Sequence, residues 1–290
     1  MEITINHLTK RYRKKAALQD ISLTIPAGMY GLLGRNGAGK TSLMRILATL
    51  STQTSGDVTI NSIPIKNTKK IREIVGYLPQ DFSMYPNMTV YGVMDYLGLL
   101  SEIPNKERKK RISDLLKKVN LQDNLSTKVK ALSGGMKRRL GIAQALLHNP
   151  QILIVDEPTA GLDPEERIRF RNLLCEFAEG RIVILSTHIA QDIEATCQNV
   201  AVLNNGKLIF CSSTENLIRQ ADGKVYSIEV PKILGEKIKE KYTILNMQPS
   251  FSELKYRILS DTPPQEVYQL ENATLEDGYI QLLKTQEEVQ

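Results

Sequence analysis

Gly34-Arg35-Asn36-Gly37-Ala38-Gly39-Lys40-Thr41 fits G-x-x-x-x-G-K-[ST], a loop whose backbone N–H groups wrap the phosphates of a nucleotide. Gly34, Gly37 and Gly39 permit backbone angles closed to residues with a Cβ and let the main chain approach an anion. Lys40 puts a compact positive charge on the β/γ-phosphates, and the Thr41 hydroxyl is placed to ligate Mg²⁺. Asn36, Ala38 and Ser42 complete the lining, through loop amides and the start of the following helix. The apolar run 29–33 before the loop reads as a strand, and 42–48 after it as a helix whose N-terminus faces the phosphate. An ordinary Gly-rich turn would not bring those flanks with it.

Working outward, the chain has 290 residues and 41% hydrophobic content, enough for one large core and a smaller appendage. Cys175, Cys197 and Cys211 are scattered without metal-ligand spacing, which implies a reducing, cytosolic compartment. Residues 1–6 lack a signal peptide's apolar block, and no run approaches about 18 apolar residues, so no membrane span is expected. The net charge of +6 is uneven: residues 1–150 hold 24 Lys/Arg against 10 Asp/Glu, and residues 151–290 hold 14 against 22. A basic half of this kind can face phosphates or an anionic surface. Residues 106–111 read as a solvated helix face.

Period-two alternation predicts strands over 2–7 and 21–25, in an antiparallel layer beside the loop strand, with another strand at 56–60. Residues 74–80 read as a strand ending at Pro79-Gln80. From 81 to 149 the pattern turns helical, with helices at 90–100, 105–119 and 136–147, as in a subdomain inserted into the core. The core resumes with the apolar runs 152–155 and 182–187, typical of parallel strands buried on both faces, and a helix at 165–178 between them. Residues 200–203 and 207–210 flank Asn-Gly and read as a hairpin. Beyond about residue 212 a small α+β appendage follows: strands at 225–230, 243–248 and 253–259, helices at 233–242 and 274–285, and a fraying tail at 286–290. The fold class is α/β, a phosphate-loop core (1–80 and 150–212) with the antiparallel layer and helical insertion 81–149, and an accessory domain at 213–290.

Two further stretches carry chemistry. Asp156 and Glu157 follow the buried strand 152–155, at the strand end where α/β sheets bind ligands. Asp156 is placed to hold Mg²⁺, and Glu157 to polarise a water attacking the γ-phosphate. Ser133 with Gly134 and Gly135 opens the helix after Leu132, a second anion site at a helix N-terminus. One nucleotide needs one phosphate loop, so this second site suggests a grip on a nucleotide held by another subunit. Tyr12 can stack on a base.

These residues together resemble the ATP-binding subunits of ABC transporters, over residues 1 to about 212, with seven motifs in the family's order. Tyr12 resembles the adenine-stacking aromatic, 34–41 the phosphate loop, Gln80 the glutamine loop and 132–136 the signature motif. Asp156-Glu157 resembles the Mg²⁺ and general-base pair, Ala160-Gly161-Leu162-Asp163 the aspartate loop, and His188 after Ser186-Thr187 the switch histidine. The resemblance implies a head-to-tail dimer with two ATP molecules between one subunit's phosphate loop and the other's Ser133, Gly134 and Gly135. It also implies that Gln80 touches Mg²⁺ and senses a membrane partner, that His188 contacts the γ-phosphate, and that Asp163 couples the two sites. Met136 stands where the family's usual signature has Gln, and Arg35 where Pro is commoner, both away from the phosphate contacts. No catalytic position is degenerate, so a homodimer with two competent sites is expected. His7 and His148 match no motif and read as structural.

The family's subunits work with a separate membrane permease, whose docking stretch corresponds to residues 80–89, rich in Met and aromatics. That places the chain at the cytoplasmic face of the cell membrane, peripheral to it, with no nucleic-acid partner. Residues 273–280 resemble the terminal helix of the branch that exports drugs, peptide antibiotics or lipids, so export is expected. Import is the alternative. A soluble non-transport ATPase of this family would normally carry two cassettes, a long coiled coil or zinc-binding cysteines.

Overall fold

Continuous apolar runs become strands buried on both faces in the computed structural model, which describes residues 1–290 apart from Lys14, Asp81, Ala160, Gly161, Val289 and Gln290, and apart from the side chain of Glu288. Every residue of Ile152–Asp156 and Ile182–Thr187 is buried. They pair in parallel with each other, with Gly28–Leu33 and with Val75–Leu78, in a six-stranded sheet completed by Asn199–Asn204 and Lys207–Ser213. Asn205 and Gly206 both have positive φ, 48° and 79°, the backbone a two-residue hairpin turn requires.

The antiparallel layer is longer than alternation suggests. Strands Glu2–Tyr12 and Lys15–Pro26 pair along their whole length, with Ser55–Ile60 and Ile63–Pro64 beyond. Register shifts between Ile5 and Arg11, with His7 at φ 51° and Asp20 at φ 54°, break the period-two pattern without ending the strands. His7 and Asp20 meet there at 2.8 Å on the surface. Between the two sheets lies the helix Lys40–Leu47. Its Leu43, Met44, Ile46 and Leu47 share one core with Ile3, Ile5, Leu18 and Ile21 of the antiparallel layer and Ile152, Ile154, Ile182 and Ile184 of the parallel sheet. The phosphate loop is thus anchored on a helix clamped from both sides.

Helices Val90–Leu100, Asn105–Lys118 and Gly134–Leu146 form the insertion. Two details differ from the sequence expectation. Residues 68–74 form a helix capped by Asn67, so the strand begins at Val75 and ends at Leu78. The basic run 106–111 is also more than a solvated face: Arg108 is buried, with Nε donating to Asp95 at 2.7 Å and Nη1 to the Ile103 carbonyl at 2.8 Å. His148 is structural, 3.2 Å from the Val75 carbonyl, and burial pushes its pKa down. No described helix is long and apolar enough to cross a membrane.

Contacts divide the chain into two compact units, Met1–Cys211 and Ser212–Gln290. In the second, strands order as Thr243–Pro249, Glu253–Leu259, Val225–Pro231 and Tyr268–Leu270. The helix there is shorter than expected, Gly235–Lys241, and the last helix runs Leu275–Glu288. Residues 286–288 therefore continue the helix rather than fraying, and Val289 and Gln290 lie outside the described residues. Thr274 and Asp277 form a reciprocal cap: Thr274 N and Oγ1 donate to Asp277 Oδ2 at 2.8 Å each, and Asp277 N donates to Thr274 Oγ1 at 3.4 Å. Gly278 packs so tightly that a Cβ would stand 2.0 Å from the Leu217 carbonyl oxygen. The terminal pattern thus has a structural cause inside this unit.

Arg257 closes on the same cap, with Nη1 and Nη2 bonded to the Asp277 carboxylate at 2.6 and 2.7 Å. Burial pushes the Asp277 carboxyl up, but Arg257 and Thr274 outweigh it and hold its pKa below the ordinary value. A depressed folded pKa means stability that is whole above about pH 3.9 and fades as pH falls below it. Asp277→Asn is expected to destabilise this unit by about 1–2 kcal/mol at neutral pH, because it removes the bidentate half of the Arg257 ion pair and leaves the guanidinium only Glu271 and the Asn272 carbonyl. Melting scans of both forms at about pH 7 and about pH 3 check this: the gap should narrow in acid. A gap that stays constant would exclude the ionic origin.

Candidate functional site

The strand Gly28–Leu33 delivers the chain to the carboxyl edge of the parallel sheet. The loop then turns into helix Lys40–Leu47 through Gly39, at φ 111°. A Cβ at Gly39 would lie 2.6 Å from the Ala17 carbonyl oxygen, so only glycine lets the loop close on the neighbouring strand. No side chain caps this helix, which leaves its first N–H groups to an anion. Asn36, Gly37, Ala38, Gly39, Lys40, Thr41 and Ser42 line a cleft of about 370 Å³ together with Tyr12, Lys15, Ala17, Gln80 and Glu157. That volume suits a small-molecule ligand.

At the back of the cleft the ionisable groups converge on one carboxylate. Glu157 is buried; its Oε1 lies 3.7 Å from Lys40 Nζ, and its Oε2 lies 3.1 Å from His188 Nδ1 and 3.5 Å from Gln80 Nε2. Its backbone sits at φ 48°, uncommon for a residue with a side chain. Lys40 is 5% exposed and also donates to the carbonyls of Gly34 at 2.6 Å and Arg35 at 3.3 Å. Burial pushes its ammonium pKa down, against the pull of the Glu157 and Asp156 carboxylates.

Asp156 ends the buried strand behind this lining. One carboxylate oxygen accepts from Ser186 Oγ at 2.8 Å; the other, Oδ2, is buried with no hydrogen-bond partner among the described residues. An orphaned, hard anionic oxygen beside a phosphate site fits Mg²⁺, which takes one or two carboxylates and completes its shell with phosphate oxygens and water. No described group of three His, Cys, Asp or Glu could hold a metal by itself.

Tyr12 ends its strand at the mouth of the cleft, its ring 45% exposed and its face 4.7 Å from Lys10 Nζ. Ser133, Gly134, Gly135 and Asp163 do not line the cleft. Ser133 caps the helix Gly134–Leu146 by accepting from Met136 N at 3.2 Å, and a Cβ on Gly134 would meet nothing within 4 Å. Asp163 stands exposed at the N-cap of Pro164–Phe177 without a side-chain capping bond. The neighbouring Ala160 and Gly161 of the expected aspartate loop lie outside the described residues, as does Asp81 of the expected docking stretch. Within that stretch Phe82, Ser83, Met84 and Pro86 line a groove of about 220 Å³ with Val129, Lys130, Lys137 and Leu140.

Arg138 was not singled out by sequence reasoning, yet its guanidinium holds the backbone on which Gln80 and Glu157 stand. The only signal was its place one turn into the helix that Ser133 opens.

A family model described as ABC transporter matches residues 18–160. The chain is 33% identical over 270 residues to the ABC transporter ATP-binding protein YxlF of Bacillus subtilis, itself uncharacterized, covering 92% of this chain and 86% of that one. It is 33% identical to the linearmycin resistance ATP-binding protein LnrL of Bacillus subtilis, covering 75% and 71%, and 32% identical to the methionine import ATP-binding protein MetN 2 of Bacillus cereus, covering 82% and 74%. Among solved structures, a dimeric ATP-binding cassette in a post-hydrolysis state with ADP and phosphate superposes with TM-score 0.68 at 26% identity, covering 73% of this chain and 98% of that one.

Proposed function

The chain belongs to the family of ABC transporter ATP-binding proteins and is an ATP hydrolase, and from that premise we propose that it works as a head-to-tail pair powering export through a separate membrane permease. The observation that carries the catalytic part is the meeting of Lys40, His188 and Gln80 on the one carboxylate of Glu157.

Each residue then has a task. Tyr12 stacks on the adenine, and Gly34, Asn36, Gly37, Ala38, Gly39 and Ser42 supply amides and backbone room for the phosphates. Lys40 places its charge on the β/γ-phosphates. Glu157 accepts a proton from the attacking water, and His188 holds that carboxylate and the γ-phosphate in line. Thr41 and Asp156, with Gln80, would hold Mg²⁺, which when bound would neutralise charge developing on the phosphates. Ser133, Gly134 and Gly135, which do not line their own cleft, serve the partner's nucleotide, and Asp163 couples the two sites. The exposure of that helix end and the dimeric solved relative support this pairing.

The groove lined by Phe82, Met84 and Pro86 suits an apolar helix of the permease, which would hold this subunit at the cytoplasmic face of the membrane. Export is favoured by the likeness to a resistance protein. Import is the second reading, favoured by a methionine-import relative at nearly the same identity. A tagged Glu157→Gln chain recovered from detergent-solubilised membranes with MgATP should bring a polytopic permease without its own ATPase domain and without a solute-binding protein. A co-purifying solute-binding protein would establish import; ribosomes or DNA-bound proteins in place of a permease would overturn the transporter reading.

Tyr12 gives a smaller prediction. Tyr12→Ala should weaken ATP binding by about 1–3 kcal/mol, the usual worth of a stacked base, with little effect on turnover at saturation. Unchanged affinity in a fluorescence titration would leave Tyr12 a structural role, in its contacts with Lys10, Ser42 and Ser51.

A further inference from the structure

Arg138 donates to backbone carbonyls on two separate loops. Nη1 reaches Gln80 at 2.8 Å, Nε reaches Pro158 at 3.0 Å, and Nη2 reaches Asp156 at 3.4 Å and also Glu157. These carbonyls lie at or just past the ends of the paired strands Val75–Leu78 and Ile152–Asp156, where the ladder stops and each oxygen needs a new donor. Glu157 sharpens that need, because φ 48° turns its main chain out of the strand path. A guanidinium, five N–H donors in a rigid plane, can satisfy several such oxygens at once. The next residue, Arg139, reaches elsewhere, to the carbonyls of Val119 and Asn120 and to Glu166. Arg138 therefore bonds the helix that starts at Ser133 directly to the backbone of Gln80 and Glu157.

We infer that Arg138 is a positioning residue for hydrolysis, fixing the Glu157 carboxylate against Gln80 and tying both to the helix that begins at Ser133. The inference rests on Glu157 being the base. Arg138 does not line the nucleotide cleft, so it acts through Glu157 and not on ATP. Its removal frees the loop that aims the carboxylate but leaves the phosphate loop and Tyr12 as they were. A displacement of about 1 Å at a reacting group is enough to cost on the order of 100-fold in rate.

The test uses the full-length chain. Arg138→Ala should lower kcat on the order of 10–100-fold while KM and Kd for ATP stay within about 3-fold. Arg138→Lys should not restore the rate, since a single ammonium cannot span both loops. In a Glu157→Gln background, single-turnover hydrolysis should fall no further on adding Arg138→Ala, because the two act as one unit. A raised KM at unchanged kcat, full activity in Arg138→Lys, or an additive loss in the double variant would each overturn the inference. If Arg138→Ala does not fold, Arg138→Lys decides alone: a lowered kcat at unchanged ATP affinity supports the clamp, and an unchanged kcat removes it. Should Glu157→Gln itself keep normal turnover, the base assignment fails instead.

Discussion

Glu157→Gln is expected to remove ATP turnover while ATP binding survives. The substitution keeps the shape of a side chain held between Lys40, His188 and Gln80, so packing around it changes little. On the proposed assignment it removes the group that takes the water's proton, and a positioned general base accounts for about 10²–10⁴ in rate. Binding should hold or tighten, because the amides of the loop are untouched and one negative charge leaves the vicinity of the phosphates. Phosphate release and equilibrium ATP binding, measured on the same preparation, separate the two effects. Normal hydrolysis by this variant would falsify the assignment of Glu157 as base.

Lys40→Met is expected to be as damaging by a different route. Met keeps most of the apolar stem that is buried against the loop, while the charge and the bonds to Gly34 and Arg35 disappear. The phosphates lose their nearest ammonium, and the buried Glu157 carboxylate loses its ionic neighbour at 3.7 Å. Loss of one preorganised charge at a developing anion costs on the order of 10²–10³ in rate, and ATP affinity should fall as well. Burial already lowers the Lys40 pKa, so the sign of the pH effect follows: binding needs the charged form, and affinity should decline at alkaline pH before an ordinary lysine would lose its proton. A Lys40→Met chain that binds and hydrolyses ATP like its parent would mean that the loop amides alone carry the phosphates.

Much of this was legible because the residues concerned sit in short, local patterns. The loop 34–41 announces its own backbone requirement, and the buried runs 152–155 and 182–187 announce strands covered on both faces. Ser133 announces a cap, and the cap is there. What was hidden depends on partners far apart in the chain. Arg138 is one basic residue among several in its helix, and its targets at Gln80 and 156–158 become neighbours only when the sheet forms. Arg108 looks like part of a solvated basic run until Asp95 and the Ile103 carbonyl close on it. The strand through Lys10-Arg11-Tyr12 was obscured because irregular register at His7 and Asp20 breaks the alternation that normally reveals a strand. The pattern 273–280 is explained locally by the Thr274–Asp277 cap and the close approach at Gly278, so its form alone says little about the direction of transport.

The most direct test of the paired site is complementation between two inactive chains. One carries Lys40→Met, which disables its own phosphate loop; the other carries Ser133→Arg, which blocks the helix end offered to a partner. If each nucleotide lies between one chain's Lys40 and the other's Ser133, a mixed pair still contains one intact site, and mixing the two should restore ATP hydrolysis that neither shows alone. Mixtures that stay inactive although the two chains associate, or a Ser133→Arg chain that hydrolyses normally, would contradict the account.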